Sequence, residues 1–192
     1  ENQYYKDKQY EDAQYFLPEE WEQNLLGGCK ELLEEFPDHP VRAITSSGAR
    51  ESIVLYNKEG KAYLGLPNID NRGRAWMAEI EDCTFIYEKT GRWVTEDFPA
   101  AKLMGYRKKY PEEFESIAKI TSLSEWIGEM FTGKLVIEPS QACETQLFDI
   151  TVGSGLACFD ICHVTGTDGV SGSHGNGCFT DQKVSTFDEI CV

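Results

Sequence analysis

The spacing of apolar positions changes period along the chain, and each period predicts a different kind of element. Trp21, Leu25, Cys29, Leu32, Leu33 and Phe36 recur at three- and four-residue steps. This predicts an amphipathic helix from about Glu19 to Phe36, opened by Pro18 and the acids Glu19, Glu20 and Glu22, with Cys29 an inert thiol on its apolar stripe. Gly27 and Gly28 weaken it, and Pro37 and Pro40 end it.

From Val41 to Glu96 the period falls to two. Ile53 and Leu55, then Ala62, Leu64 and Leu66 across Asn57-Lys58-Glu59-Gly60, predict a hairpin. Arg74–Glu81 and Thr84–Glu88 extend it as strands, giving an antiparallel meander of about four or five strands with one face on the core. Helical spacing returns over 97–131: Ala100, Leu103, Met104 and Tyr106, then Phe114, Ile117, Ala118 and Ile120 after Pro111. A third helix carries Leu123, Trp126, Ile127, Met130 and Phe131, with Ser122 as N-cap, Glu125 three residues on and Gly133 as its stop. Strands are predicted again at 134–138, 146–152 and 156–164, before a glycine-rich loop at 166–177.

The fold class that follows is α+β: a mainly antiparallel sheet, helices packed on one face, and a cysteine-tied C-terminal β segment over 143–192. Residues 1–17 stand apart from the domain formed by 18–192 as an arm carrying Tyr4, Tyr5, Tyr10, Tyr15 and Phe16. A solvated arm has little reason to keep five aromatics, so these side chains are expected to bind a surface, its own domain's or a protein partner's.

Composition narrows the function classes. The 192 residues are 41% apolar and 27% charged, which is globular. No apolar run approaches the length of a membrane-spanning helix. The net charge of −15 argues against a nucleic-acid partner. The chain opens on Glu1 rather than Met, as it would after removal of a leader and equally in a truncated chain.

Seven cysteines are many for a reducing compartment, and an odd count leaves one thiol over. Cys83, Cys143, Cys158, Cys162, Cys178 and Cys191 are the disulfide candidates. Cys158-x3-Cys162-x11-His174-x3-Cys178 alternatively approaches the two-pairs-and-a-loop spacing of a tetrahedral zinc site. Cys158 to His163 also spells a loosened haem-attachment pattern, one residue too long. A Cys–His nucleophile could be assembled from Cys162 or Cys178, His163 or His174, and Asp160 or Asp168, although acidic surroundings oppose thiolate formation. Asn68 to Glu79 matches a calcium loop at three places but puts Arg72 where an oxygen ligand belongs. Ser46-Ser47-Gly48 lacks the context of a hydrolase elbow, and no phosphate-cradling Gly-Lys-Ser/Thr loop occurs.

The expectation is therefore a non-catalytic binding or structural subunit of a larger extracytoplasmic assembly, secreted or lumenal, stabilised by disulfides and needing no cofactor. A small Cys/His-dependent hydrolase and a zinc-tied adaptor are the alternatives.

Overall fold

The computed structural model describes residues 2–151 and the backbone of Ser154–Gly155. Two short strands, β1 (Tyr5–Lys6) and β2 (Gln14–Tyr15), pair antiparallel near the start. Helix α1 (Pro18–Glu35) follows, with Pro18 in its first turn and Glu19 and Glu20 against its positive end. Strands β3 (Ile53–Tyr56) and β4 (Ala62–Leu66) form the expected hairpin, and its turn closes through the Asn57 side chain, which accepts from the Lys61 amide at 2.9 Å.

The next segment departs from expectation. Arg74–Glu79 is a 3₁₀ helix and Cys83–Thr90 is helix α2, not strands. The Asp82 carboxylate caps α2 by accepting from the Phe85 amide at 2.8 Å, and Gly91 closes it in the left-handed region at φ 70°. These end signals outweigh the strand preference of Thr84, Phe85 and Ile86.

Helices α3 (Pro99–Lys109) and α4 (Pro111–Glu115) precede strand β5 (Lys119–Ser122). Ile120, expected on a helix, lies in that strand opposite Leu55. Helix α5 (Leu123–Thr132) begins with a full capping box: the Glu125 amide donates to Ser122 Oγ at 3.2 Å, and the Ser122 amide to Glu125 Oε2 at 3.1 Å. Substituting Ser122→Ala is expected to cost about 1 kcal/mol in urea unfolding, because it removes the hydroxyl acceptor while Glu125 keeps its other partners. Residues 134–138 form no strand; helix α6 (Pro139–Cys143) and strands β6 (Phe148–Asp149) and β7 (Ser154–Gly155) follow.

The central sheet is antiparallel in the order β4-β3-β5. Every residue of β3 is buried. Ile53 and Leu55 join Leu66, Leu103, Tyr106, Ile120 and Leu147 in one core cluster. Val54 and Tyr56 join Phe16, Trp21, Leu123 and Trp126 in the other. Helices therefore cover both faces of the sheet, α3 on one and α5 with the start of α1 on the other, rather than the single face expected. A strand buried on both sides reads as the unbroken apolar run Ile-Val-Leu-Tyr.

Phe16 ties the aromatic arm to this sheet through paired backbone bonds with Gly65, both 2.9 Å. A Cβ on Gly65 would stand 2.0 Å from the Phe16 ring, so only glycine admits that crossing. Beyond Trp21, α1 is not buried: Leu32, Leu33 and Phe36 of its apolar stripe are exposed, as are Leu26 beside the stripe and Val41 and Ile44 after it.

Candidate active site

Two segments about ninety positions apart in sequence meet beside the sheet, and each carries a residue in a strained conformation. Glu51 (φ 59°) and Gln146 (φ 58°) are the positive-φ residues other than glycine among the described residues. Such backbone persists only where its surroundings over-determine it, and it clusters at functional sites.

The segment entering β3 is pinned from several directions. Ser46 Oγ donates to the Ser124 carbonyl at 2.7 Å, and Gly48 lies close against Leu123. The Ser52 carbonyl accepts from the Leu123 amide at 3.2 Å, and Ser52 Oγ accepts from the Asn68 amide at 3.0 Å. The second segment is a tight turn after α6. The Thr145 carbonyl accepts from the Ala100 amide at 3.1 Å, which fixes it to the start of α3. Gln146 Nε2 donates to the Trp93 carbonyl at 3.0 Å.

Between them lies a mixed-charge cluster. Arg92 donates to Glu144 Oε1, and Arg50 Nη1 stands 3.8 Å from the same oxygen. Burial, then the neighbouring Glu144 carboxyl, raises the pKa of the Glu51 carboxyl, with Arg50 and Lys102 opposing. Two buried acceptors here, Glu144 Oε2 and Gln146 Oε1, have no hydrogen-bond partner among the described residues. A buried acceptor left unmet costs free energy. At the rim, Trp93 is exposed and its ring stacks on Tyr87 at 4.4 Å.

A cleft of about 370 Å³ lies alongside, lined by Ser46, Ser124, Glu125, Gly128, Glu138 and Gln141 among others. Its main carboxylate, Glu125, is already committed to the Ser122 and Glu138 amides at 3.1 and 2.6 Å. Of the four buried side-chain atoms without a hydrogen-bond partner among the described residues, Glu144 Oε2 and Gln146 Oε1 lie between the two strained segments, and Tyr63 Oη and Arg72 Nη1 lie elsewhere.

The residues singled out from sequence lie elsewhere. Cys29, Cys83 and Cys143 are free thiols, and burial pushes the Cys143 thiol up, away from a nucleophile's range. Cys158, Cys162, Cys178, Cys191, His163, His174, Asp160 and Asp168 fall outside the described residues, and with them the zinc, haem and hydrolase sets. Among the described residues no group of three metal-ligating side chains comes together, and no helix is long and apolar enough to cross a membrane. The calcium-like stretch is a turn in which Asp70 binds Arg72 Nε at 2.7 Å.

The arm's aromatics lie on their own domain. Phe16 is fully buried, Tyr10 donates to the Gly105 carbonyl at 2.6 Å, Tyr5 donates to Glu20 and stacks on Tyr15, and Tyr4 meets the Trp21 ring edge-on. Sequence reasoning missed Arg50, Glu51, Arg92, Glu144 and Gln146. Its one available signal was a small-residue loop carrying Arg-Glu, one residue before the unbroken run Ile53–Tyr56.

Residues 2–155 match the model of the FGGY family of carbohydrate kinases, N-terminal domain. The candidate sugar kinase YoaC of Bacillus subtilis is 43% identical over 141 residues, 73% of this chain and 29% of that protein. Autoinducer-2 kinase of Escherichia coli K12 is 29% identical over 117 residues, 58% of this chain and 22% of that one. Among solved structures, xylulose kinase from Rhodospirillum rubrum superposes with a TM-score of 0.71 at 21% identity, covering 85% of this chain and 35% of that one. Plasmodium falciparum glycerol kinase with ADP gives 0.67 at 20% identity, covering 85% and 34%. At such identity the structural likeness shows a shared fold. The chain spans less than a third of the length of the curated relatives it matches.

These findings correct the functional expectation drawn from sequence. A non-catalytic, secreted structural subunit rested on cross-linked sulfurs. The three described cysteines are free, the cysteine-tied β segment has no support, and the relatives are sugar kinases. The extracytoplasmic placement falls with it, and of the disulfide candidates Cys83 and Cys143 are free thiols. With four-fifths of its length matched by a single family model, the chain belongs to the FGGY family of carbohydrate kinases, carrying the N-terminal domain.

Proposed function

We propose that this chain supplies the sugar-recognition surface of a kinase that transfers a phosphoryl group from a nucleoside triphosphate to a hydroxyl of a small polyhydroxylated substrate. The observation that carries this reading is the left-handed Glu51 held against Glu144 between Arg50 and Arg92, with unmet acceptors on Glu144 and Gln146. A sugar hydroxyl both donates and accepts. The partly exposed Glu51 carboxylate takes its hydrogens, guanidinium groups meet its lone pairs, and the exposed Trp93 ring offers an apolar face. Phosphoryl transfer asks a protein mainly for positioning and charge stabilisation, so holding the accepting hydroxyl in one place is a substantial part of the work. Xylulose, gluconate and glycerol kinases share the fold, which suits a polyol substrate.

Calorimetric titration with D-xylulose, D-gluconate and glycerol tests this. Binding of at least one, at about millimolar affinity or better, is expected. Absence of binding by all three, in a chain shown to be folded, would contradict it.

The pH dependence carries a sign. Glu51 accepts hydroxyl hydrogens as a carboxylate, and its carboxyl titrates above the ordinary glutamate range. Affinity is therefore expected to fall on acidification through that raised pKa, sooner than an ordinary glutamate would dictate. The same titration repeated over a pH series checks it.

A further inference from the structure

We propose that Lys102 is a positioning residue for this site: its ammonium, bound to the Glu51 and Pro67 carbonyls, holds Glu51 in its left-handed conformation and keeps Arg50 and Glu51 turned toward Glu144. The inference rests on the sugar-site reading above. Lys102 lies on α3 between Ala101 and Leu103, and its side chain is fully buried. An apolar residue could fill that space without the cost of desolvating a charge. Instead Nζ donates to the Glu51 carbonyl at 2.6 Å and to the Pro67 carbonyl at 2.8 Å. These acceptors precede β3 and follow β4, so one ammonium ties the mouth of the hairpin to the helix beneath it.

A left-handed glutamate is disfavoured in the absence of such restraint. Lys102 fixes the carbonyl of that very residue, while Ser52 is fixed by the Asn68 and Leu123 amides. The charged groups facing Lys102 are Asp70, Glu51 and Asp97, which favour its charge, and Arg72, which opposes it. Burial outweighs the carboxylates and pushes the amine down to about 8. Its charge in turn helps keep the Glu51 carboxyl ionised against burial and Glu144.

Two measurements separate positioning from simple core packing. In the unsubstituted chain, the backbone carbonyl resonances of Glu51 and Pro67 should shift together with a midpoint near 8 as Lys102 loses its proton. A Glu51 carbonyl that does not respond overturns the proposal, whether or not any variant folds. In Lys102→Met, the Glu51 carboxyl should titrate at a higher pH than in the parent, and affinity for whichever of the three probe sugars binds should fall about tenfold, the loss of roughly one charge-assisted contact's worth of order. An unmoved Glu51 titration or an unchanged affinity in folded K102M also overturns it. If the parent binds none of the sugars, the sugar reading fails separately, and the two resonance titrations still decide whether Lys102 holds Glu51.

Discussion

Replacing Arg72 with leucine is expected to destabilise the domain by about 3–5 kcal/mol, the cost of stripping one partner from a buried charge cluster. Arg72 is 1% exposed, and its guanidinium serves both halves of the structure. Nε donates to Asp70 at 2.7 Å, Nη1 stands 3.4 Å from Asp7, and Nη2 donates to the Gln14 carbonyl at 3.4 Å. The Nη1 contact is close enough for an ion pair but not aligned as a hydrogen bond, so it counts for less than the Asp70 contact. The cation also lies over the Tyr106 ring at 5.5 Å.

Without it the carboxylate of Asp70, which is wholly buried, keeps only the Gln14 amide at 3.1 Å among the described residues. The aromatic arm, anchored through Asp7 and Gln14, would lose its inner attachment. The effect has a pH signature. Burial already raises the Asp70 pKa despite Arg72, and removing Arg72 raises it further. The penalty of a lone carboxylate is present above that folded-state pKa and is relieved as pH falls through it. Urea unfolding of R72L should therefore show a midpoint loss at neutral pH that narrows on acidification. A loss under about 1 kcal/mol would mean the cluster is no more than a surface ion pair in effect.

The second large effect concerns binding. Glu51→Gln is expected to lower sugar affinity by about ten- to a hundredfold, the range for losing hydrogen bonds to a charged acceptor. Stability should stay level or rise, because a half-buried carboxyl beside Glu144 is held at a cost. This pairing of lost function with kept stability separates a ligand-binding group from a structural one. A Glu51→Gln chain that unfolds more easily yet binds as before would place Glu51 in the second category. Calorimetry and thermal unfolding on the same preparation give both numbers.

Much of the fold was legible because its signals are local. Pro18 with its following acids announced α1, Ser122 with Glu125 announced α5, and Asn57 to Gly60 announced the hairpin. What failed depends on distant partners. Ile120 pairs with Leu55, 65 positions away in sequence, and nothing in its neighbourhood says so. Residues 74–90 alternate convincingly, yet the Asp82 cap and the Gly91 stop make the second half a helix. The stripe on α1 is real as a pattern, but among the described residues only its first turns are covered.

The site was nearly invisible for the same reason. Arg50, Glu51, Arg92 and Glu144 look like solvated charges one at a time, and charges are usually that. Only folding brings positions 50–51 against 144–146 and leaves acceptors there without donors among the described residues. The cysteine-rich tail, more conspicuous in sequence, drew the functional reading toward disulfides, whereas Cys83 and Cys143 are free thiols.

Backbone amide shifts recorded during titration with D-xylulose, D-gluconate and glycerol test the assigned site most directly. Perturbations concentrated at residues 50–52, 92–93 and 144–146 are predicted for the sugar that binds. Perturbations confined to the cleft around Glu125 and Glu138, or none with any of the three, would contradict it.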